Sequence, residues 1–234
     1  MDTFSITIPQ YGFEWVDEDT YAISEKLPIY AVADGVTLSA RDEITTPEGS
    51  RPASELFSKK TVEFLEKHYV KLSDKIIRET YAHANTAVAK LNKKYKIPLS
   101  TVGTLVAVKD GYLFGSRLTD CGFAIVRDGK LLFKTPEYWA WQKRNKKKTY
   151  GVIDGKAEAL RHIDLYRKSY KTGDVLILFS DGFENHFKSK KFVAIFRKGN
   201  WAKLEPMVKK IDAELVAKDA KYGHERTLIA EVLT

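Results

Sequence analysis

The sequence predicts an α+β domain in which helices pack on antiparallel sheet. Three observations carry this. Strand-like runs come first, then two helical stretches, more strands, a helix and a last strand, a segregated order rather than strict βαβ alternation. Asp110-Gly111 and Asp128-Gly129 each join two strand-like runs and are strong hairpin signals. With 234 residues, the chain can remove roughly 70% of its unfolded surface from water, so it needs neither disulfide nor metal merely to fold.

Phe4, Ile6 and Ile8 alternate with polar residues, which predicts an opening strand. A break at Pro9–Gly12 leads to the acidic cluster Asp17-Glu18-Asp19. Strands are expected over Thr20–Ser24 and Ile29–Ala33, the second apolar throughout, as in a strand covered on both faces. After a Thr/Ser/Pro/Gly-rich loop, Ser50 and Pro52 suit the cap and first turn of a helix. Its expected stripe is Leu56, Phe57, Phe64, Leu65 and His68 or Tyr69. A second helix begins near Ser73; Ile77, Tyr81, Ala84, Val88 and Leu91 step by four, three, four and three, and the pattern stops at Pro98. Strands follow over Val102–Lys109, Tyr112–Ser116, Cys121–Val126 and Lys130–Lys134. The stretch Thr135–Tyr170 is less regular, aromatic and basic. An apolar strand, Val175–Phe179, runs into Asp181-Gly182. A helix holding Trp201, Leu204, Met207, Val208, Ile211 and Leu215 precedes the closing strand Thr227–Leu233.

Composition excludes several classes. Hydrophobic residues make up 44% and charged residues 30%, which fits a globular chain and not a disordered, collagen-like or membrane-embedded one. No run approaches 18 apolar residues, and the opening MDTFSITIPQ is unlike a signal peptide. The one cysteine, Cys121, permits no intramolecular disulfide. Together these predict a reducing, cytoplasmic setting and no membrane partner. The net charge of +8 is partly local, in Lys143, Arg144, Lys146, Lys147 and Lys148. Such a run reads as a solvated loop, and without aromatic interleaving or a recognisable motif it argues against a nucleic-acid partner.

Two apolar strands end in Asp-Gly, at Asp34-Gly35 and Asp181-Gly182. A carboxylate at the mouth of a buried strand is poorly placed for packing, and glycine beside it lets backbone, ligand or ion come close. Hard divalent cations take carboxylate and carbonyl oxygens. Glu18, Asp19, Asp34 and Asp181 are therefore candidates for a shared Mg²⁺ or Mn²⁺ site. The competing reading is turn chemistry, since the same dipeptide recurs at residues 110, 128 and 154. Residue types and spacing leave both readings open.

Read whole, the sequence resembles the metal-dependent protein phosphatases, the type 2C serine/threonine phosphatase family, over nearly its full length. Asp17-Glu18-Asp19 stands where that family has Asn-Glu-Asp or Met-Glu-Asp. Tyr30–Gly35 resembles its Phe-x-Val-x-Asp-Gly strand end, and Ser100–Leu105 its Gly-Ser/Thr-Thr core strand. Leu118–Gly122 lies at its Val-Gly-Asp-Ser-Arg, Gly173–Gly182 at its Gly-Asp…Ser-Asp-Gly, and His224–Leu228 at its final Asp-Asn/Asp-x-Thr.

The resemblance implies a four-layer α-β-β-α sandwich, two antiparallel sheets face to face with helices outside. It implies one phosphatase-like domain over 1–234, with a variable flap-like segment at about 135–170 that holds Trp139 and Trp141. It implies a binuclear Mn²⁺ or Mg²⁺ centre in which Asp34 bridges both ions, Gly35 offers its carbonyl, Glu18 supports one metal and Asp181 the other. Asp19 would act through water, and Asp120 would hold a third, weaker ion. The implied reaction is hydrolysis of phosphoserine or phosphothreonine in a phosphorylated protein substrate by a metal-activated bridging water, with Asp34 and Asp181 as catalytic residues. Three departures accompany it. The last metal-binding Asp falls on His224, whose imidazole suits Mn²⁺ better than Mg²⁺, unless a one-residue slip makes Glu225 the donor. Glu14 stands where many members carry a phosphate-binding Arg, for which Arg41, Arg51 or Arg117 would have to substitute. Val36 replaces a common His. Glu14 and His224 motivate the alternative of an inactive pseudophosphatase acting as a binding or regulatory module. Cys121 is expected to be packed and not nucleophilic.

Overall fold

A computed structural model describes residues 3–11, 17–36, 49–137 and 151–234, apart from the side chains of 198–200. Ten strands form two sheets: β1 (Thr3–Ile8), β2 (Thr20–Ile23), β3 (Ile29–Gly35), β4 (Thr101–Lys109), β5 (Tyr112–Leu118), β6 (Gly122–Arg127), β7 (Lys130–Lys134), β8 (Asp164–Ser169), β9 (Val175–Phe179) and β10 (Arg226–Val232). One sheet runs β2-β3-β4-β5-β8 and the other β1-β10-β9-β6-β7. All pairings are antiparallel. The helices are α1 (Arg51–His68), α2 (Asp74–Tyr95), the short α3 (Asp181–Glu184) and α4 (Lys190–Ala194), and α5 (Leu204–Val216).

Strand alternation builds the layers. In β3, Ile29, Ala31 and Ala33 face α1 and α2, whereas Tyr30 and Val32 face the other sheet. In β9, Val175, Ile177 and Phe179 join the core beneath α4 and α5, while Leu176 and Leu178 point to the inter-sheet core. Three apolar cores thus separate four layers, the α+β sandwich that the resemblance implies. Strands buried on both faces lose the polar half of their pattern, which is why β3 up to Ala33 and β9 read as continuous apolar runs.

Ser73 caps α2 through a bond from the Ile76 amide, and its buried face includes the expected Ile77, Tyr81, Ala84 and Val88. The helix ends with Lys96 at φ 58, before Pro98. Helix α1 departs from expectation. Its fully buried positions are Ala53, Ser54, Phe57, Ser58, Thr61, Val62 and Leu65, and the expected Leu56 and Phe64 are only half-buried. Small side chains at Ala53, Ser54, Ser58 and Thr61 let this helix lie close on the sheet, with the expected Phe57 and Leu65 packed into the contact and Leu56 and Phe64 at its flanks. Ser50 stands at the N-cap position without making a cap bond. The 135–170 stretch, read as irregular, ends in a sheet strand, β8, paired with β5. The chain's Lys143–Lys148 run, Trp139, Trp141, Glu14 and Arg41 lie outside the described residues. Among the described residues no helix is long and apolar enough to cross a membrane.

Candidate functional site

Register places one end of each sheet at the same pole. Gly35 lies opposite Thr101 and Gly103 opposite Leu118 in one sheet. Phe179 lies between Gly122 and Leu228 in the other. The ends of β3, β5 and β9 and the starts of β6 and β10 therefore meet there. Asp34 ends β3, Asp120 sits in the crossover from β5 to β6, Asp181 opens α3 just after β9, and His224 and Glu225 enter β10. Segment 17–19 completes the group.

Close backbone approach holds these segments together. The Gly35 amide donates to the Glu18 carbonyl at 3.2 Å, which also accepts from Ser54 Oγ at 2.5 Å. A Cβ on Gly35 would stand 2.8 Å from Glu18 Cβ, so this position tolerates glycine alone without displacing segment 17–19. Ser50 and Ser100 both donate to the Val36 carbonyl, at 2.9 and 3.0 Å, and Thr101 Oγ1 donates to the Asp34 carbonyl at 2.6 Å. The hydroxyl of Ser50 serves this loop, which is why it does not cap α1. A Cβ on Gly182 would lie 2.1 Å from the Glu225 carbonyl oxygen, so α3 also depends on glycine for its seat against the β10 entry.

The electrostatics are one-sided. Burial raises the Asp34 pKa, and Asp19, Asp181, Asp120 and Glu225 raise it further. Asp19 is raised by burial and by Glu225, although Ser180 Oγ donates to its Oδ2 at 2.6 Å. Asp120 is pushed up to about 7 by burial and then by Asp181, and its Oδ1 is buried with no hydrogen-bond partner. Asp181 is the most open of the set; its surroundings raise its pKa, against the pull of nearby His224. Burial takes Glu225 to about 7, opposed by the amides it accepts from. The crowding of like charge is the chemistry that a divalent cation relieves.

The donors differ in availability. Glu18 Oε1 accepts the Ser50 amide. Glu225 accepts the backbone amides of Glu18 and Asp19, each at 2.8 Å, so the carboxylate that the sequence left open as a ligand is engaged by backbone. His224 is exposed at the rim. Asp34, Asp120 and Asp181, with the Gly35 carbonyl, remain as oxygen donors that suit Mn²⁺ or Mg²⁺. Among the described residues no three His, Cys, Asp or Glu side chains are closed up as a finished metal cluster. The oxygen-rich donor set and the orphaned Asp120 oxygen fit a hard divalent ion, with water completing its shell.

Of the arginines expected to replace the missing phosphate ligand, Arg117 is 1% exposed, with Nε 3.2 Å from Asp164 and Nη1 donating to the Pro136 carbonyl. Arg51 bonds the Asp17 carbonyl and Glu55. Cys121 is fully buried, and burial drives its thiol pKa far up, in keeping with a packed residue. Sequence reasoning missed the bidentate use of Glu225 and the Asp19–Ser180–Thr227 chain, in which the Thr227 amide donates to Ser180 Oγ at 2.8 Å. The Ser-Asp-Gly triplet was the available signal for Ser180.

The chain matches the family described as protein phosphatase 2C over residues 16–217. A curated relative, probable protein phosphatase 2C 80 of Arabidopsis thaliana, is 25% identical over 190 residues, 81% of this chain and 42% of the relative. The chain thus spans less than half of that relative's length. The serine/threonine phosphatase PstP/Ppp of Mycobacterium tuberculosis superposes with a TM-score of 0.69 at 14% identity, covering 99% of this chain and 98% of the other. A structure of the catalytic domain of the serine/threonine protein phosphatase PstP in complex with two manganese ions gives 0.65 at 15% identity, covering 99% and 98%. At these identities the structural likeness is one of fold.

Proposed function

The chain belongs to the protein phosphatase 2C family, and from that premise we propose that it hydrolyses phosphoserine and phosphothreonine esters of protein substrates with bound Mn²⁺ or Mg²⁺. The observation that carries this reading is the pole of the sandwich that gathers Asp19, Asp34, Asp120, Asp181 and Glu225, where Asp120 Oδ1 is buried without a hydrogen-bond partner and the neighbouring acids raise the Asp34 pKa. A phosphatase structure of the same fold holding two manganese ions supports a binuclear centre. In this reading Asp34 and Asp181 are the direct ligands of catalysis, with the Gly35 carbonyl beside them. Asp120, through its orphaned oxygen, holds a third, weaker ion. Glu18 supports one metal, and Asp19 acts through water, its Oδ2 already accepting from Ser180. His224 is the remaining ligand and tilts preference toward Mn²⁺. When bound, paired divalent ions supply a water acidic enough to ionise near neutral pH and neutralise phosphoryl charge. The carboxylates fix where those charges stand, and the buried Ser180–Asp19 contact keeps the segment rigid.

In the same reading the phosphatase-like domain takes in 1–234 and acts in the cytoplasm, and of the flap-like segment expected at about 135–170, residues 164–169 belong to the sheet as β8. The test is turnover of para-nitrophenyl phosphate and a phosphothreonine peptide by metal-stripped protein titrated with each ion. The expected result is metal-dependent turnover, stronger with Mn²⁺, that falls to background in Asp34→Asn with folding intact. Folded protein inactive with both ions would instead favour a pseudophosphatase. The burial of Arg117 against Asp164, where it cannot meet a phosphate, is the observation on that side.

A further inference from the structure

Five chain segments bring acids to the site, and Glu225 contacts two of the others, segment 18–19 through its side chain and the Asp181-Gly182 turn through its carbonyl. Glu225 Oε2 accepts the Glu18 amide and Oε1 the Asp19 amide, both at 2.8 Å. Two consecutive amides on two oxygens of one carboxylate fix both the position and the rotation of segment 18–19. Such charge-assisted bonds are roughly twice as strong as neutral ones. The Glu225 carbonyl lies against Gly182, next to Asp181. Behind it, Arg226 donates to the His224 carbonyl and pairs bidentately with Asp212 on α5, so the strand entry itself cannot drift. The Glu18 carbonyl passes the constraint on, because it accepts the Gly35 amide next to Asp34.

We propose that Glu225 is a positioning residue, a clamp from the β10 entry that sets the 17–19 segment, and with it the acids around Asp34 and Asp181, at the spacing a divalent ion needs. The proposal rests on the metal-dependent reading above, yet the clamp itself is testable without metal or turnover. A glutamine cannot replace it, since its NH₂ would face one of the two N–H donors.

The experiment compares the full chain with Glu225→Gln and, as a control, Glu205→Gln in an exposed pair with Lys209. The first readout is amide hydrogen exchange in metal-free protein. The Glu18 and Asp19 amides should lose protection in Glu225→Gln while the central strands keep theirs. The second is Mn²⁺ affinity by calorimetry, which should fall roughly 10–100-fold, the usual effect of removing a residue that orients ligands. The third is turnover, which excess Mn²⁺ should restore. Unchanged protection of both amides overturns the clamp. Lost protection with wild-type Mn²⁺ affinity overturns the positioning role. Weakened affinity with unchanged metal-free protection makes Glu225 a ligand and overturns the proposal too. Wild-type protein that binds no Mn²⁺ refutes the metal-dependent reading and the positioning role, while the exchange arm still decides the clamp. Should Glu225→Gln not fold, Glu225→Asp keeps the charge, shortens the reach and is read in the same way.

Discussion

Acids flank the start of β10 on two sides, Asp212 on one and the Asp34 cluster on the other, and they are treated in opposite ways. On the helical side, Asp212 receives Arg226 Nε at 2.6 Å and Nη2 at 2.5 Å, and His186 Nε2 lies 2.9 Å away. Although burial would raise it, these hydrogen bonds hold the Asp212 pKa below the usual carboxylate range. On the inter-sheet side, Asp34 is pushed up by burial and then by Asp19, and Asp19 by burial and then by Glu225. The chain spends its own cation where an acid is architectural and, in the metal-dependent reading proposed above, leaves the acids around Asp34 to an external one. Perturbed carboxylates cluster at functional sites for this reason.

The largest break in this comparison is Asp212→Asn. It strands the Arg226 guanidinium, which is fully buried, and should destabilise the fold by about 3–5 kcal/mol, read as a lower urea midpoint. The same change at the other cluster has the opposite sign. Asp34→Asn removes a repelled charge, so metal-free protein should gain stability while losing its response to Mn²⁺. If both variants were destabilised alike, the two clusters would not differ in kind.

A pH series sharpens the contrast without mutation. Asp120 and Glu225 each have a folded pKa of about 7, above their ordinary values of 3.8 and 4.5. Their contribution to stability is fully present below about pH 4 and is lost as pH rises through 7. Metal-free protein should therefore melt higher at pH 5.5 than at pH 8. Asp212, held low, contributes above its ordinary pKa and is lost only as pH falls below about 4. Saturating Mn²⁺ should erase the trend between pH 5.5 and 8, because ligands bind as anions. A melting temperature flat across that range without metal would remove the argument for an uncompensated cluster.

The smallest effect separates the Asp-Gly pairs. Gly111 has φ +76 with open space around it, so Gly111→Ala should cost only about 1 kcal/mol of backbone strain and leave metal binding unchanged. Gly35→Ala meets Glu18 Cβ and the Ser50 backbone and should weaken Mn²⁺ binding. Calorimetry on both variants checks the difference.

These pairs also mark what a sequence carries. Five Asp-Gly dipeptides look alike on paper. In space, Asp110-Gly111 and Asp128-Gly129 both have positive φ at each residue, the conformation of two-residue hairpins, at the pole away from the site. Gly35 and Gly182 have no such φ and are required by close contact instead. Local pattern carries turn chemistry well, but contact between residues 18 and 35, or 182 and 225, has no local signature. Motif resemblance brought the acids together in one reading, yet it left Glu225 as a possible ligand because residue type alone does not show where a carboxylate points.

What the sequence by itself determined is the order of the other strands and the long helices, though not β8 or the short α3 and α4, together with the two hairpins, the helical face of α2 and the acids at strand ends, all of which follow from short-range periodicity and backbone preference. Only the tertiary structure decided which acids are compensated, which glycines are contact glycines, and that Arg117 is buried on Asp164. Those outcomes depend on desolvation and on distances between segments far apart in the chain, and both come into being only when the two sheets close on one another.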